Sequence, residues 1–473
     1  MDIKLIKREG NKAFVNIDGE EKEYKYIPIE EIYKKNNELH QKYKATGKIE
    51  KMDLSNHCII DFSIDDYRQL FDLTLTTLVK LYINKFINNC FILKKNKIHT
   101  FSGTDFGDCD VTFQGAIFGE GEVDFYRAIF GEGEVDFSVV TFGEGDVDFS
   151  GVTFGEGDVD FFGATFGEGK VDFCRANFGE GDVDFGSANF GESNVVFFGA
   201  IFGEGNVDFH GVSVKKIIFR NNSFVNLNCK FEECDYLIFE EIFINGLIIF
   251  PNGPIIRSLV TRNIYNHGKI YLSWDETQIH KAIYNSDASL KDKSETFLLF
   301  KENFRNIGRY DDEDKAYVEF KKTELRANFV ESIKGKWWKK FKLLYKIPEF
   351  LFKWIVFEQI GKYGTAPGRI ILSMLVTVIS FGFIYSSSLI SISEKKFSGS
   401  AIIEFLCKFG LDSELLNNFF SGLYYSFITF LTIGYGDIEP TSLACALLSG
   451  IEGFLGLFFM AYFTIAFARK VLR

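Results

Sequence analysis

Between Phe106 and Phe209, apolar and polar positions recur with a period of twelve residues, in a unit that reads roughly V-D-F-S-G-A-T-F-G-E-G-D. One phenylalanine column runs Phe106, Phe118, Phe130, Phe142, Phe154, Phe166, Phe178, Phe190, Phe202, and a second runs Phe113, Phe125, Phe137, Phe149, Phe161, Phe173, Phe185, Phe197, Phe209. A small apolar residue stands two positions before most of them: Val111, Val123 and Val135 begin one set, Ala116, Ala128 and Val140 the other. Residues two apart share one face of a strand. Each unit therefore predicts short strands with the small residue and Phe inward, Asp or Thr outward, and glycine corners such as Gly119-Glu120-Gly121. Identical side chains at a fixed period stack into ladders when coils pile up, so the stretch is read as a β-solenoid. A period of twelve allows coils of twelve or of twenty-four residues. Past Phe209 the period decays, but Lys216–Arg220, Tyr236–Glu240 and Gly246–Phe250 read as strands that extend the solenoid towards Leu272.

The flanks follow other patterns. Lys12–Asn16 and Glu23–Ile27 alternate as a small hairpin, a charged helix is expected near Ile29–Lys44, and Tyr67–Leu93 is ambiguous between helix and strand. From Thr277 to about Val330 the spacing turns helical: Phe297, Phe300 and Phe304, then Tyr317, Phe320 and Leu325. Gly308-Arg309-Tyr310-Asp311-Asp312-Glu313-Asp314 separates two helices, with acids placed to cap the second. Ile347–Ile360 is apolar but broken by Glu349, Lys353, Glu358 and Gln359, which suits a helix lying in a membrane interface. Gly361–Gly368, with Pro367, turns the chain. Ile370–Ile390 holds 21 residues without a charge, enough to cross about 30 Å of hydrocarbon. Ser413 is expected to cap a helix running to about Phe430, and Leu443–Ala468 is apolar except for Glu452. The domains so predicted are an N-terminal cap at 1–90, the solenoid at 91–272, a helical linker with a basic run at 273–346 and a membrane region at 347–473.

Composition sharpens this in three places. Of the 473 residues 55 are Phe, and the formal net charge of −12 divides unevenly: Asp105–His210 carries −20 and the remainder +8. Those carboxylates rule against a phosphate cradle at the G-E-G corners, and they lack the aspartate-rich calcium pattern, so they are read as a solvated, repelling face. Lys334, Lys336, Lys339, Lys340, Lys342 and Lys346, interleaved with Trp337 and Trp338, precede the apolar spans, which fits a cytoplasmic headgroup layer and argues against nucleic acid. The eight cysteines form no CxxC pair, and Met1–Lys25 lacks the apolar segment of a secretory signal, so the N-terminal part is expected in a reducing cytoplasm. No triad spacing, HExxH or nucleotide loop suggests an enzyme, and no cofactor is implied.

Thr432-Ile433-Gly434-Tyr435-Gly436-Asp437 carries the candidate chemistry. It resembles the selectivity-filter signature of potassium channels. A dehydrated potassium ion needs a cage of oxygens, which four strands of inward carbonyls and a ring of threonine hydroxyls supply. The backbone must then alternate between right- and left-handed dihedrals, and glycine reaches the latter without a Cβ clash. The resemblance implies potassium at Thr432, Ile433, Gly434 and Tyr435, a brace from Tyr435, and Asp437 at the outer mouth, with Gly436 completing the filter. Helix, half-helix, G-Y-G loop and helix from about Ile370 onward match the two-transmembrane potassium channel pore, and Pro440 after the filter agrees. The resemblance further implies a homotetramer, a gating hinge at Gly456, which lies twenty residues after Gly436, and a cavity lined by Met460, Thr464 and Ala468. Gly450 and Gly453 offer a plainer account, since small residues let helices pack closely. Glu452 needs a partner in the membrane, which the sequence does not identify.

The V-D-F-S-G and V-T-F-G-E pairs resemble pentapeptide repeats, with two extra residues after every second one, and imply a right-handed solenoid. The string from Phe304 to Phe320 is similar to a helical hairpin of bacterial channels that carry such repeats. The expected protein is thus multidomain: a cytoplasmic solenoid as scaffold or sensor, a helical linker and a tetrameric two-transmembrane pore. It would sit in the cell membrane, in contact with lipid, with both termini cytoplasmic, as the lysines before the first span and Arg469, Lys470 and Arg473 after the second indicate. An unidentified cytoplasmic ligand or protein at the solenoid is a further expected partner. Because the sequence ends within five residues of the last span (Arg469–Arg473), regulation is expected from the N-terminal side. Two alternatives stand beside this reading: a membrane-tethered acidic binding module, and a non-selective cation pore.

Overall fold

The computed structural model describes residues 3–17, 20–26, 57–60, 91–93, 98–108, 110–118, 121–253, 255–333, 343–387 and 412–472, with a few isolated positions besides. The charged helix at 29–44 lies mostly outside the described residues, as do residues 61–90, Lys334, Lys336, Lys339, Lys340, Lys342, Trp337 and Trp338. The chain forms two compact units, residues 1–320 and 321–473.

In the first unit, Lys12–Ile17 pairs antiparallel with both Ile3–Glu9 and Glu20–Tyr26, so the predicted hairpin is a three-stranded meander. The repeats then wind into a β-solenoid with parallel sheets of eight and nine strands. Val135 pairs with Val159 and Val147 with Val171, a register of 24 residues, which settles the coil size left open by the sequence. Two repeats make one coil, so the two phenylalanine columns separate into four ladders. Phe113 stacks on Phe137 at 4.9 Å and Phe137 on Phe161 at 5.0 Å, while Phe125 meets Phe137 edge-on at 5.4 Å. Such pairs add about 0.5–1.5 kcal/mol each beyond burial. Later coils shorten: Ser213 pairs with Glu233 and Asn206 with Asn226, steps of 20 residues, equal to four five-residue units.

The G-E-G corners have a reason beyond turning. A Cβ on Gly155 would lie 1.9 Å from the Gly131 carbonyl oxygen, and one on Gly181 2.3 Å from that of Gly157. Coils stack with backbone against backbone there, and any side chain would pry them apart.

Helices close the far end of the solenoid. They are α1 (Trp274–Thr277), α2 (Ile279–Asn285), α3 (Leu290–Asn306) and α4 (Tyr310–Ile333). Ser289 and Asp292 form a capping box at the start of α3. Phe297, Phe300 and Phe304 join the same buried cluster as the phenylalanine ladders, together with Trp274 and Ile283. Asn303 completes the seal: its Oδ1 accepts from Ile270 N at 2.8 Å and its Nδ2 donates to Ile270 O at 2.7 Å. One amide side chain thereby stands in for the next strand at an edge that would otherwise be open. The helices expected as a linker thus also pack onto the end of the solenoid.

In the second unit, α5 (Leu343–Lys353) continues as a π-helical segment, Trp354–Ile360. Helix therefore starts four residues before the predicted Ile347. Lys362, Tyr363 and Gly364 follow, all left-handed, with φ of 43°, 55° and 79°. Burial pushes the Tyr363 phenol well above its usual range, with Glu358 beside it. Next come α6 (Pro367–Tyr385), α7 (Ser413–Phe430) and α8 (Leu443–Val471). Among the described residues, α6 and α8 are the helices long and apolar enough to cross a membrane. α6 opens with Pro367 at its first turn, where the missing N–H costs nothing, and ends at Tyr385, short of the predicted Ile390. The apolar run continues beyond the helix because hydropathy does not register where backbone hydrogen bonding stops.

Candidate ion-conduction site

The site is built around α7. Its N-cap is Asp412, one residue before the predicted Ser413: Asp412 Oδ1 accepts from Glu414 N at 2.9 Å. A carboxylate at that place also suits the positive end of the helix dipole. Gly422 and Gly382 let α7 and α6 approach closely; a Cβ on Gly422 would lie 2.6 Å from the Gly382 carbonyl oxygen.

α7 runs directly into the candidate filter. Thr432 N donates to Thr429 O at 3.0 Å and Ile433 N to Ile428 O at 2.8 Å, so the last helical turn grades into the loop. Thr432, Gly434 and Gly436 are left-handed, with φ of 55°, 58° and 75°. Every second residue thus occupies the left-handed region. The sequence identified the two glycines; the left-handed Thr432, a β-branched residue, was not anticipated. Its Oγ1 donates to Leu431 O at 2.7 Å. Around Gly434 and Gly436 a Cβ would meet nothing within 4 Å, so the demand for glycine there is torsional rather than steric.

Beyond the candidate filter, Tyr424 Oη on α7 donates to Asp437 Oδ2 at 2.8 Å, and Ile438 is buried with Tyr385, Tyr425, Ile428 and Cys445. Pro440 forms an antiparallel bridge with Ile392. Ser442 then caps α8 by accepting from Cys445 N at 3.1 Å. In the single chain Ile433 is 44% and Tyr435 70% exposed.

α8 turns Cys445, Glu452, Gly456, Phe459, Tyr462 and Ala466 inward. It is one helix from Leu443 to Val471. A Cβ on Gly456 would lie 1.8 Å from the Phe430 carbonyl oxygen, which gives this glycine a packing role. Met460 and Thr464 are exposed along α8, Thr464 Oγ1 donating to Met460 O at 2.8 Å, and Ala468 is half-buried. Glu452 is fully buried and its Oε1 is in hydrogen-bond contact with Ser426 Oγ, the partner that the sequence did not identify.

Residues 373–473 match the family model Ion_trans_2, described as an ion channel. The match takes in most of α6 and all of α7, the glycine loop and α8. No curated protein and no solved structure matches the chain. The C-terminal region accordingly has two candidate membrane helices, with α7 between them, that match a two-transmembrane ion-channel domain.

The solenoid offers a second feature. Asp136, Asp160, Asp184 and Asp208 stand in register on successive coils, about 4.8 Å apart by sheet geometry. Each turns one oxygen to a backbone N–H two residues on, as Asp160 does to Phe162 at 2.6 Å. A groove of 710 Å³ lies along this face, lined by Asp158, Asp182, Asn206 and Asn228 as well as Asp160, Asp184 and Asp208. Burial first, then the neighbouring carboxylates, raise the pKa of Asp160 and Asp184 above the usual carboxylate range.

Proposed function

We propose that four copies of this chain surround one axis and form a potassium-selective channel in the cell membrane. The observation that carries this reading is the alternation at Thr432, Gly434 and Gly436 at the end of a half-helix. Alternating handedness turns successive carbonyls to one side, and four such strands supply oxygens in place of the ion's hydration shell. Potassium binds at Thr432, Ile433, Gly434 and Tyr435, and Asp437 holds the outer mouth. The C-terminal dipole end of α7 faces the ion before it enters.

The exposed positions support an assembly. Tyr435 has 70% of its surface free in one chain, and a neighbouring copy supplies its brace. Met460, Thr464 and Ala468 line the shared cavity. Both termini are cytoplasmic, and the solenoid serves as scaffold or gating sensor from the N-terminal side.

Reconstitution in liposomes under a potassium gradient tests selectivity. A reversal potential that follows potassium over sodium is expected. One that follows all cations equally would leave a non-selective pore, and an absence of conductance would leave a tethered binding module.

A further inference from the structure

Ser426 Oγ sits where α6, α7 and α8 meet. It belongs to α7, lies 2.8 Å from the carbonyl oxygen of Val378 on α6, and contacts Glu452 Oε1 on α8. Ser426 and Glu452 are both fully buried. A hydroxyl carries one proton, and a backbone carbonyl only accepts. If Ser426 donated to Glu452, the Val378 oxygen would face another acceptor at 2.8 Å with no hydrogen between them. Both contacts are satisfied together only when Ser426 donates to Val378 and Glu452 donates to Ser426, which requires a proton on the carboxyl.

The surroundings agree. The titratable groups facing Glu452 are Tyr385 from α6, Tyr425 from α7 and Cys445 from α8 itself, all neutral in their ordinary state. Among the described residues no cation pairs with it. An ionised carboxylate buried without a counter-ion is strongly disfavoured, whereas a neutral acid that donates one hydrogen bond is tolerated.

We infer that Glu452 acts as a neutral carboxylic acid, a positioning residue that fastens α8 to the half-helix behind the filter and, through Ser426, to α6. The clasp lies one turn before Gly456, where α8 meets the Phe430 carbonyl, so the two contacts together fix the end of α7 from which Thr432 departs. Loss of the proton would leave Ser426 with two acceptors, release one helix and loosen the filter's support. This role in conduction rests on the channel reading above; the protonation does not.

Two measurements on the full chain separate those parts. Infrared difference spectra of wild type against Glu452→Gln in detergent should show a protonated-carboxyl band that the variant lacks; a carboxylate band in its place would overturn the proposal whether or not the protein conducts. In potassium-loaded liposomes, Glu452→Gln retains a donor and should conduct within about twofold of wild type, while Ser426→Ala and Glu452→Leu should lose at least tenfold. On raising pH, wild type should lose current and Glu452→Gln should not. Parallel loss in both, or a Glu452→Gln as impaired as Glu452→Leu, would equally defeat the clasp.

Discussion

Tyr424 on α7 donates its phenolic hydrogen to Asp437 Oδ2 at 2.8 Å, tying the helix that leads into the glycine loop to the residue that leaves it. The bond spans thirteen residues and closes the loop like a strap. Hydrogen bonds to charged acceptors contribute about 1.5–3 kcal/mol when sheltered, and this one is exposed, so about 1 kcal/mol is the reasonable figure. Tyr424→Phe should therefore leave the protein folded but shorten the time for which the loop holds its conducting shape. Sustained current in single-channel recordings should fall several-fold, with Asp437→Asn milder than Tyr424→Phe because an amide oxygen still accepts. Indistinguishable recordings from wild type and Tyr424→Phe would mean that the strap does not hold the mouth.

Gly434→Ala separates torsion from packing. Nothing lies within 4 Å of an added methyl, yet φ is 58°. A left-handed Ala costs about 1–2 kcal/mol in each copy, enough to reorder the alternation on which the proposed carbonyl cage depends. Potassium flux into liposomes should vanish while yield and thermal stability stay near wild type. Undiminished flux would count against the filter itself.

Gly456 distinguishes a hinge from a packing notch. Its missing Cβ leaves room for the Phe430 carbonyl, which a methyl would approach at 1.8 Å. If packing governs, Gly456→Ala should lower stability by about 1–3 kcal/mol, seen as a drop in detergent melting temperature. If the glycine serves only to bend α8, stability should hold and only the open probability should change.

What the sequence revealed and what it hid follow from the same physics. The phenylalanine periodicity, the two apolar helices and the left-handed glycines are local signals, and each stands in the structure. Coil size stayed open because a period of twelve fits both answers until Val135 finds Val159. The cap of α7 moved from Ser413 to Asp412 because both residues cap well and only the backbone decides between them. Ser426 was invisible as the partner of Glu452 because 26 residues separate them and only tertiary packing joins them. The left-handed Thr432 runs against the propensity of a β-branched residue, and such local conflict with global geometry concentrates at functional sites.

The carboxylate ladder of the solenoid predicts a pH dependence with a definite sign. Asp160 and Asp184 have folded pKa values raised first by burial, then by Asp136, Asp184 and Asp208 in the ladder. Their contribution to stability is therefore fully present below the unfolded value of about 3.9 and is lost as pH rises through the folded value. Asp172 differs: burial pushes its pKa up, but hydrogen bonds from Cys174 and from Lys170 Nζ, paired with it at 2.5 Å, outweigh that and lower it, so its contribution is lost as pH falls. Asn keeps the oxygen that caps the turn, so Asp160→Asn with Asp184→Asn should slow amide exchange in the solenoid at neutral pH. The gain should be a few tenths of a kcal/mol to about 1, since half-exposed charges are screened, and should disappear in acid. Slower exchange that persisted unchanged in acid would refute the repulsion account.

Where the chain is cut decides what a truncation can say about gating. Removing residues 1–272 would strip the solenoid from α3 and expose Phe297, Phe300 and Phe304, each at most 1% exposed in the intact unit. Burial of each contributes about 1.5–3 kcal/mol, so that fragment should aggregate or bind a hydrophobic dye, and its silence would say nothing about regulation. A cut at the boundary between units, leaving 321–473, keeps α5 to α8 with the end of α4 and removes the solenoid with the rest of its cap. That fragment should remain soluble in detergent and carry potassium current, with an open probability different from the full chain if the N-terminal unit governs the gate. Equal open probability in the two proteins would assign the solenoid to assembly alone.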